Sequence, residues 1–313
     1  MVVNKYEIGL THHTYILLLF FSLILLIFAG LRPIGFDSDS RSYMEMMKSL
    51  ATNRLDSYIE PTFVWIVKSN YYLLGNNYYQ RVSLFVYALI NISFIAFAIK
   101  KLSINPLYSI LIYALLFYPI LTLTQIRFGV ASAMFLFAIH NIYNKNLFLY
   151  LIKIIVASMF HVSAIILLPF YFLNRQKINK KYYVFLFILS IGIVFINASL
   201  KYMVLSHLDY FPNDIAKKLY TYLYLYGENS KFSDINVFNS LSLFIISIYL
   251  LSLYYIERLK SKYTLVLVKI LGWGLFLYTL SSFFPTLSIR ILNIFGLVSI
   301  VLLVEIIYLN KKL

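Results

Sequence analysis

Two arginines, a histidine and three carboxylates stand apart from the apolar sequence around them. Arg127 lies in TLTQIRFGVASA, Thr122–Ala133, where two long apolar runs meet, with Gln125 just ahead of it. An arginine at membrane depth costs a few kcal/mol or more, so it faces a cavity or a partner and marks function. Its planar fork binds phosphate oxygens in bidentate fashion. Arg290, one turn past Pro285 at the start of the last apolar run, is a second arginine of this kind. His161, at the middle of LFLYLIKIIVASMFHVSAIILLPFYFL, and Asp37, Asp39 and Glu60, in the polar stretch after the first apolar run, are the groups suited to accept a proton from a hydroxyl within hydrogen-bond reach.

Each has a competing structural use. The arginines can snorkel to lipid headgroups. Asp37-Ser38-Asp39-Ser40 also has the form of helix caps for the SYMEMMKSL helix. A lone membrane histidine can be a satisfied structural residue. The two aspartates lack further carboxylates at metal-ligating spacing, so no metal and no cofactor is expected. Lys201, Lys217, Lys218 and Lys231 could steer an anion or be solvated loop charges, and Tyr222, Tyr224 and Tyr226 could stack on sugars or form an interfacial belt. His12, His13, His140 and His207 belong to no constellation.

The elements that must position these residues are membrane helices. The 313 residues are 61% hydrophobic and 12% charged, against about a quarter charged in a soluble domain, and the mean hydropathy is +0.81. Apolar runs of spanning length recur throughout. The reading is an all-α, polytopic transmembrane bundle of about nine to ten membrane segments, a single integral membrane domain with both termini cytoplasmic. With no cysteine, disulfides, thiol catalysis and cysteine metal sites are excluded. The net charge of +15 comes from basic residues in short loops, which points to membrane orientation and away from nucleic acid.

The expected spans are about Thr14–Leu31, retained as it has no cleavage site, Tyr79–Ile99, Pro106–Leu123, Arg127–Tyr143, Tyr182–Leu200, Val237–Ile256, Leu265–Phe284 and Thr286–Leu309. Pro61–Leu74 is too short and polar to span and is read as interfacial or re-entrant. Leu147–Leu173 is long for one span and short for two, with basic residues on both flanks. It is read as two short helices hinged near Phe160–Ser163, with His161 near the tip, an arrangement allowed only where it lines a cavity or is buried in protein. The two long loops, Arg32–Tyr78 and Lys201–Asn236, hold nine of the twelve acids and are nearly neutral, whereas the short loops are basic. By the positive-inside rule the long loops lie outside. That places Arg127, Arg290, His161, Asp37, Asp39 and Glu60 at one face.

Five stretches, in order along the chain, resemble the EpsG-like, Wzy-type polysaccharide polymerases of bacteria: FDSDSRSY at Phe36–Tyr43, IEPTF at Ile59–Phe63, QIRFGVASA at Gln125–Ala133, FHVSAIILLP at Phe160–Pro169 and SIRILNIF at Ser288–Phe295. Where members of that family often show a second basic or polar residue soon after the arginine, Phe128 and Gly129 stand, so the sequence does not name the partner of Arg127. The resemblance implies a metal-independent glycosyltransferase of the bacterial cytoplasmic membrane, acting at the outer face. Its partners would be an undecaprenyl-pyrophosphate-linked glycan donor and acceptor, membrane lipids, and a chain-length regulator protein as a further candidate. In that reaction Arg127 and Arg290, with Gln125 and Tyr43, would bind substrate, and the base would be His161, Asp37, Asp39 or Glu60. Two other classes use similar residues: a transporter or flippase of lipid-linked oligosaccharide, and an outer-face acyl- or phospho-transferase. A transporter tends to show broken helices in corresponding places in two halves, and the sequence suggests only one break.

Overall fold

The computed structural model describes residues 12–53, 59–210 and 235–310, together with Ala216, Tyr220 and Leu223. Helices, and no strands, make up the described residues. They fall into two compact units: Met1–Arg175 with Glu257–Val266 and Ile300–Leu313, and Gln176–Ile256 with Leu267–Ser299.

The first unit opens with α1 (His12–Leu31), most of whose side chains are exposed and apolar, as expected of a lipid-facing span. Two shorter helices follow, α2 (Ser40–Ala51) and α3 (Pro61–Leu74). Pro61 occupies the first turn of α3, where its missing N–H costs nothing, and Gly75 ends the helix at a positive φ of 66°. Then come α4 (Tyr79–Leu102), α5 (Pro106–Leu116) and α6 (Ile126–Tyr143). Asn105 caps α5 by accepting from the backbone N–H groups of Leu107 and Tyr108.

The segment expected as one span, Pro106–Leu123, is interrupted. α5 stops at Leu116, Pro119 follows, and Pro119–Thr124 forms a π-helix that closes with the Gln125 N–H donating to the Ile120 carbonyl at 2.7 Å. A buried polar cluster holds this turn in place. The Tyr113 hydroxyl lies 2.7 Å from Thr122 Oγ1, and both hydroxyls reach Asn91 Oδ1 on α4, at 2.8 and 3.0 Å. Gly129 on α6 is required by the same packing, since a Cβ there would lie 1.6 Å from the Leu121 carbonyl oxygen. Gly129 thus admits the chain's own π turn.

Leu147–Leu173 is the expected broken pair. α7 (Leu147–Phe160) starts on an Asn146 cap, and a 3₁₀ helix, Val162–Phe172, follows after a single extended residue, His161 at φ −157° and ψ 118°. The two arms fold back on each other: the Tyr150 hydroxyl donates to the Leu167 carbonyl at 2.5 Å, and the rings of Tyr150 and Tyr171 lie 5.5 Å apart. At 1.5 Å per α residue and 2.0 Å per 3₁₀ residue the arms measure about 21 and 22 Å, less than the roughly 30 Å hydrocarbon core. Arg175, beyond the second arm, donates to the carbonyl of Tyr143 at the end of α6, so both arms return to the end of the bundle opposite Arg127. The hairpin packs between α3 and α6 near its tip, where Thr62 Oγ1 donates to the Met159 carbonyl at 2.7 Å.

The second unit holds α8 (Lys180–Ser206), α9 (Ser240–Tyr254), most of α10 (Thr264–Leu280) and α11 (Pro285–Gly296). Asn179 and Asn239 cap α8 and α9. Gly272 and Gly274 on α10 admit Tyr249 and Phe295; a Cβ at Gly274 would come within 2.2 Å of the Phe295 Cβ. The last expected span, Thr286–Leu309, is also interrupted. α11 ends at Gly296 and a separate helix, Ser299–Asn310 (α12), follows. The chain therefore has a broken segment in its second half, which the sequence reading did not anticipate. Nothing in that stretch signals it beyond Gly296, a poor helix former.

Among the described residues α1, α4 and α6 are long and apolar enough to cross a membrane, and two interrupted pairs, within α8 and at α11–α12, bring the number to five. Five shorter apolar helices of 10–17 residues complete the set. This is a polytopic helical membrane protein.

Candidate functional site

The first unit gathers most of the chemistry at one end. Arg127 is the second residue of α6, and its aim is fixed by the π turn before it and by Gly129 after it. Its Nη1 forms an ion pair with Glu60 Oε2. Glu60 precedes α3 and does not cap it with its side chain, which leaves the carboxylate available for the arginine. The partner that the sequence left open thus comes from a different loop, 67 residues upstream.

The rings of Tyr43 and Phe63 flank the guanidinium, their centroids 5.6 and 5.2 Å from Arg127 Cζ, close enough for cation–π attraction. Burying Arg127 in this cradle leaves its side chain 19% exposed. Nε, by contrast, is buried and has no hydrogen-bond partner among the described residues. Buried polar donors are nearly always satisfied, so this guanidinium N–H, beside a carboxylate-held Nη1, is an unmet donor. Gln125 Oε1 is a second buried atom without a partner there, an acceptor without a donor.

Aromatic contacts link this cradle to the hairpin tip. Tyr43, Phe63, Tyr87 and Phe160 follow one another with centroid separations of 6.1, 6.0 and 6.0 Å. His161 comes next in the chain and meets the Phe128 ring edge-on at 5.3 Å. His161 is 8% exposed. Its Nδ1 lies 2.7 Å from Ser163 Oγ and accepts from the Ser163 backbone N–H at 3.3 Å. A ring nitrogen that accepts from a backbone N–H carries no proton, so the neutral ring holds its proton on Nε2. In that tautomer His161 Nε2 is a donor.

The two loop aspartates divide. Asp37 is committed on both oxygens: Oδ1 accepts from the backbone N–H groups of Asp39 and Ser40, at 3.1 and 2.8 Å, and Oδ2 accepts from Arg32 Nε at 3.0 Å. The cap reading accounts for it, in the form of a turn that starts α2. Asp39, at the N-cap position, makes no side-chain cap and, among the described residues, accepts from Ser38 Oγ alone at 2.8 Å.

Arg32 is the residue that sequence reasoning missed. It follows the first apolar run directly and has the look of a flanking cation, yet it is 4% exposed. Beyond Asp37 it donates to the carbonyls of Ala29 and Leu123, both at 2.8 Å. One guanidinium therefore ties together the end of α1, the start of α2, which carries Tyr43, and the π turn that leads to Gln125 and Arg127. The only sequence signal was an arginine five residues before an aspartate across a Pro/Gly turn.

Residues 15–313 match the profile of the EpsG family. This chain belongs to the EpsG family. No curated protein and no solved structure matches it. Four of the five family-like stretches contribute to the end of the first unit just described, through Tyr43, Glu60 and Phe63, Gln125 and Arg127, and His161. The fifth carries Arg290, half-buried on α11 in the second unit. Lys201 lies on α8; Lys217, Lys218, Lys231, Tyr222, Tyr224 and Tyr226 lie outside the described residues.

Proposed function

We propose that this EpsG-family protein is a membrane glycosyltransferase that polymerises undecaprenyl-pyrophosphate-linked oligosaccharide repeat units at the outer face of the bacterial cytoplasmic membrane. Both termini are then cytoplasmic, as the basic short loops suggest. Arg127 carries the reading: paired through Nη1, it keeps an unpartnered Nε in a half-enclosed aromatic cradle. A pyrophosphate leaving group needs fixed donors to stabilise its developing charge, and this arginine edge supplies them.

The residues take the following roles. Arg127 Nε–H donates to an oxygen of the donor's pyrophosphate, with Tyr43 holding the guanidinium plane. His161 donates from Nε2 to a phosphate oxygen. Gln125 Oε1 accepts from a sugar hydroxyl. Glu60 serves as the base. One of its oxygens is fixed by Arg127 and the other has no hydrogen bond among the described residues, the arrangement of a base oriented by a third group. The acceptor hydroxyl oxygen bonds to the anomeric carbon, the bond from that carbon to the pyrophosphate oxygen breaks, the electron pair leaves with the lipid pyrophosphate, and the hydroxyl proton passes to Glu60. Arg290 is a second candidate phosphate ligand on the sequence argument alone.

A second reading, a flippase of lipid-linked oligosaccharide, gains from the break at Leu297–Val298, since transporters carry discontinuous helices in both halves. Purified protein reconstituted with a lipid-linked repeat unit tests both. A polymer ladder on a gel is the expected result. Its absence, together with transfer of intact repeat units across the bilayer, would replace the enzyme by the transporter. In cells, loss of a polymerase leaves single repeat units facing outward, and loss of a flippase traps them inside.

A further inference from the structure

The end of the first unit opposite Arg127 carries a cluster of cations. Lys101 ends α4, Lys153 lies two turns into α7, and Lys262 precedes α10. Two of these ammonium groups sit over one ring: Lys153 Nζ is 3.6 Å and Lys101 Nζ 5.3 Å from the Phe137 centroid. Lys153 is held there by Asn141, whose Oδ1 accepts from Nζ at 2.6 Å. Lys262 Nζ lies 5.3 Å from the centroid of Tyr263, whose hydroxyl lies 2.7 Å from His140 Nδ1, and His140 Nε2 faces the Asn144 amide at 2.8 Å. Two other acids of this unit, Asp37 and Glu60, are engaged by Arg32 and Arg127. Glu305, the acid in the same unit's last helix, is buried and accepts from Thr264 Oγ1 at 2.6 Å.

Like charges gathered on one ring at a low-dielectric surface repel each other strongly unless an anion sits among them. The surface beside them is apolar and exposed: Phe97 on α4, and Phe148, Ile152 and Ile155 on α7. Cations above an apolar skirt match a phosphodiester headgroup above acyl chains, and basic pockets between transmembrane helices bind acidic lipid headgroups in this way. A soluble anion would satisfy the ammonium groups and leave the skirt uncovered.

We propose that Lys101, Lys153 and Lys262 form a binding site for the phosphodiester headgroup of an anionic glycerophospholipid, with Phe97 and the outer face of α7 receiving its chains. This site is separate from the one around Arg127 and does not rest on the glycosyltransferase reading.

Native mass spectrometry and thermal unfolding of the full chain, with added phosphatidylglycerol, phosphatidylcholine or glycerol phosphate, test the proposal. Phosphatidylglycerol should be retained and should raise the unfolding temperature saturably, and neither of the other two should do so. The Lys101→Gln/Lys153→Gln variant should bind about tenfold more weakly, the loss of one to two charged contacts. Lys48→Gln, which removes an exposed charge on α2, should bind as the wild type does. Should the double variant not fold, the exposed Lys101→Gln alone is read out, and Lys153→Arg should restore or keep binding. Unchanged retention in the variants overturns the proposal. Equal retention of phosphatidylcholine reduces the lysines to snorkelling charges, and an equal shift with glycerol phosphate makes the ligand a soluble anion; either outcome also overturns it.

Discussion

Glu60→Gln separates the roles assigned to the Arg127–Glu60 pair. Glutamine is isosteric, and its carbonyl can still accept from Arg127 Nη1, so the arginine keeps its position between Tyr43 and Phe63. What disappears is the charge and the ability to take a proton. A hydrogen bond to a charged group contributes about 1.5–3 kcal/mol and a neutral one about 1 kcal/mol. With the arginine side chain 19% and the glutamate 9% exposed, the loss in stability falls at the low end of that difference, and the protein should remain folded and inserted. A general base contributes about 10²–10⁴ in rate. In the reconstituted assay kcat should therefore fall by at least about 100-fold, while the donor KM stays within roughly threefold, since the Nε edge that holds phosphate is untouched. A kcat within about threefold of wild type would refute the assignment of the base. A donor KM that rises in step with the fall in kcat would show that Glu60 acts through the placement of Arg127 alone.

The remaining predictions concern the same end of the unit and its orientation. Arg127→Lys keeps the charge and loses the fork; loss of one charge-assisted bond should lower kcat/KM by about 10–100-fold, measured on the same lipid-linked substrate. His161→Ala should raise the donor KM by about tenfold with a smaller effect on kcat, and the reverse pattern would return the base to the hairpin tip. Asp37→Asn strands the buried Arg32 and should cost about 3–5 kcal/mol of stability, seen as early thermal unfolding, whereas Asp39→Asn should not. Single cysteines introduced at Asn146 and Asn174 should both react with an impermeant thiol reagent from the cytoplasmic side only; opposite sides would contradict the hairpin as a re-entrant element.

What was legible in the sequence follows the range of the interactions. α1, α4 and α6 are near-continuous apolar runs closed by charges or loops, and their limits agree with the expected ones within a few residues. The broken Leu147–Leu173 pair showed because its length and its basic flanks admit no simple span. The interruptions at Pro119 and Leu297 did not show: an apolar run reads the same in a regular helix as in one broken by tertiary contacts, and the contacts that hold the first break, from Asn91 and Tyr113, come from other elements. The Glu60 partner of Arg127 was hidden for the same reason. Both residues were visible as charges in unusual places, but nothing local joins positions 67 apart. Arg32 was misjudged because a cation after an apolar run has the same appearance whether it faces headgroups or three buried acceptors.

The π turn at Pro119–Thr124 carries one residue more than an α-helical path between the same contacts would need. In an α-helix each residue advances the phase by about 100°, a full turn taking 3.6 residues. The odd residue therefore sets the azimuth at which α6 begins, and with it the side of the bundle on which Arg127 emerges. Deleting one residue of the turn would shift that phase by about 100° and swing the guanidinium by more than a quarter of a circle, away from Glu60, without altering a single site residue. The angular address of the arginine is written upstream of its own helix, in the length of a segment that holds none of the proposed site residues.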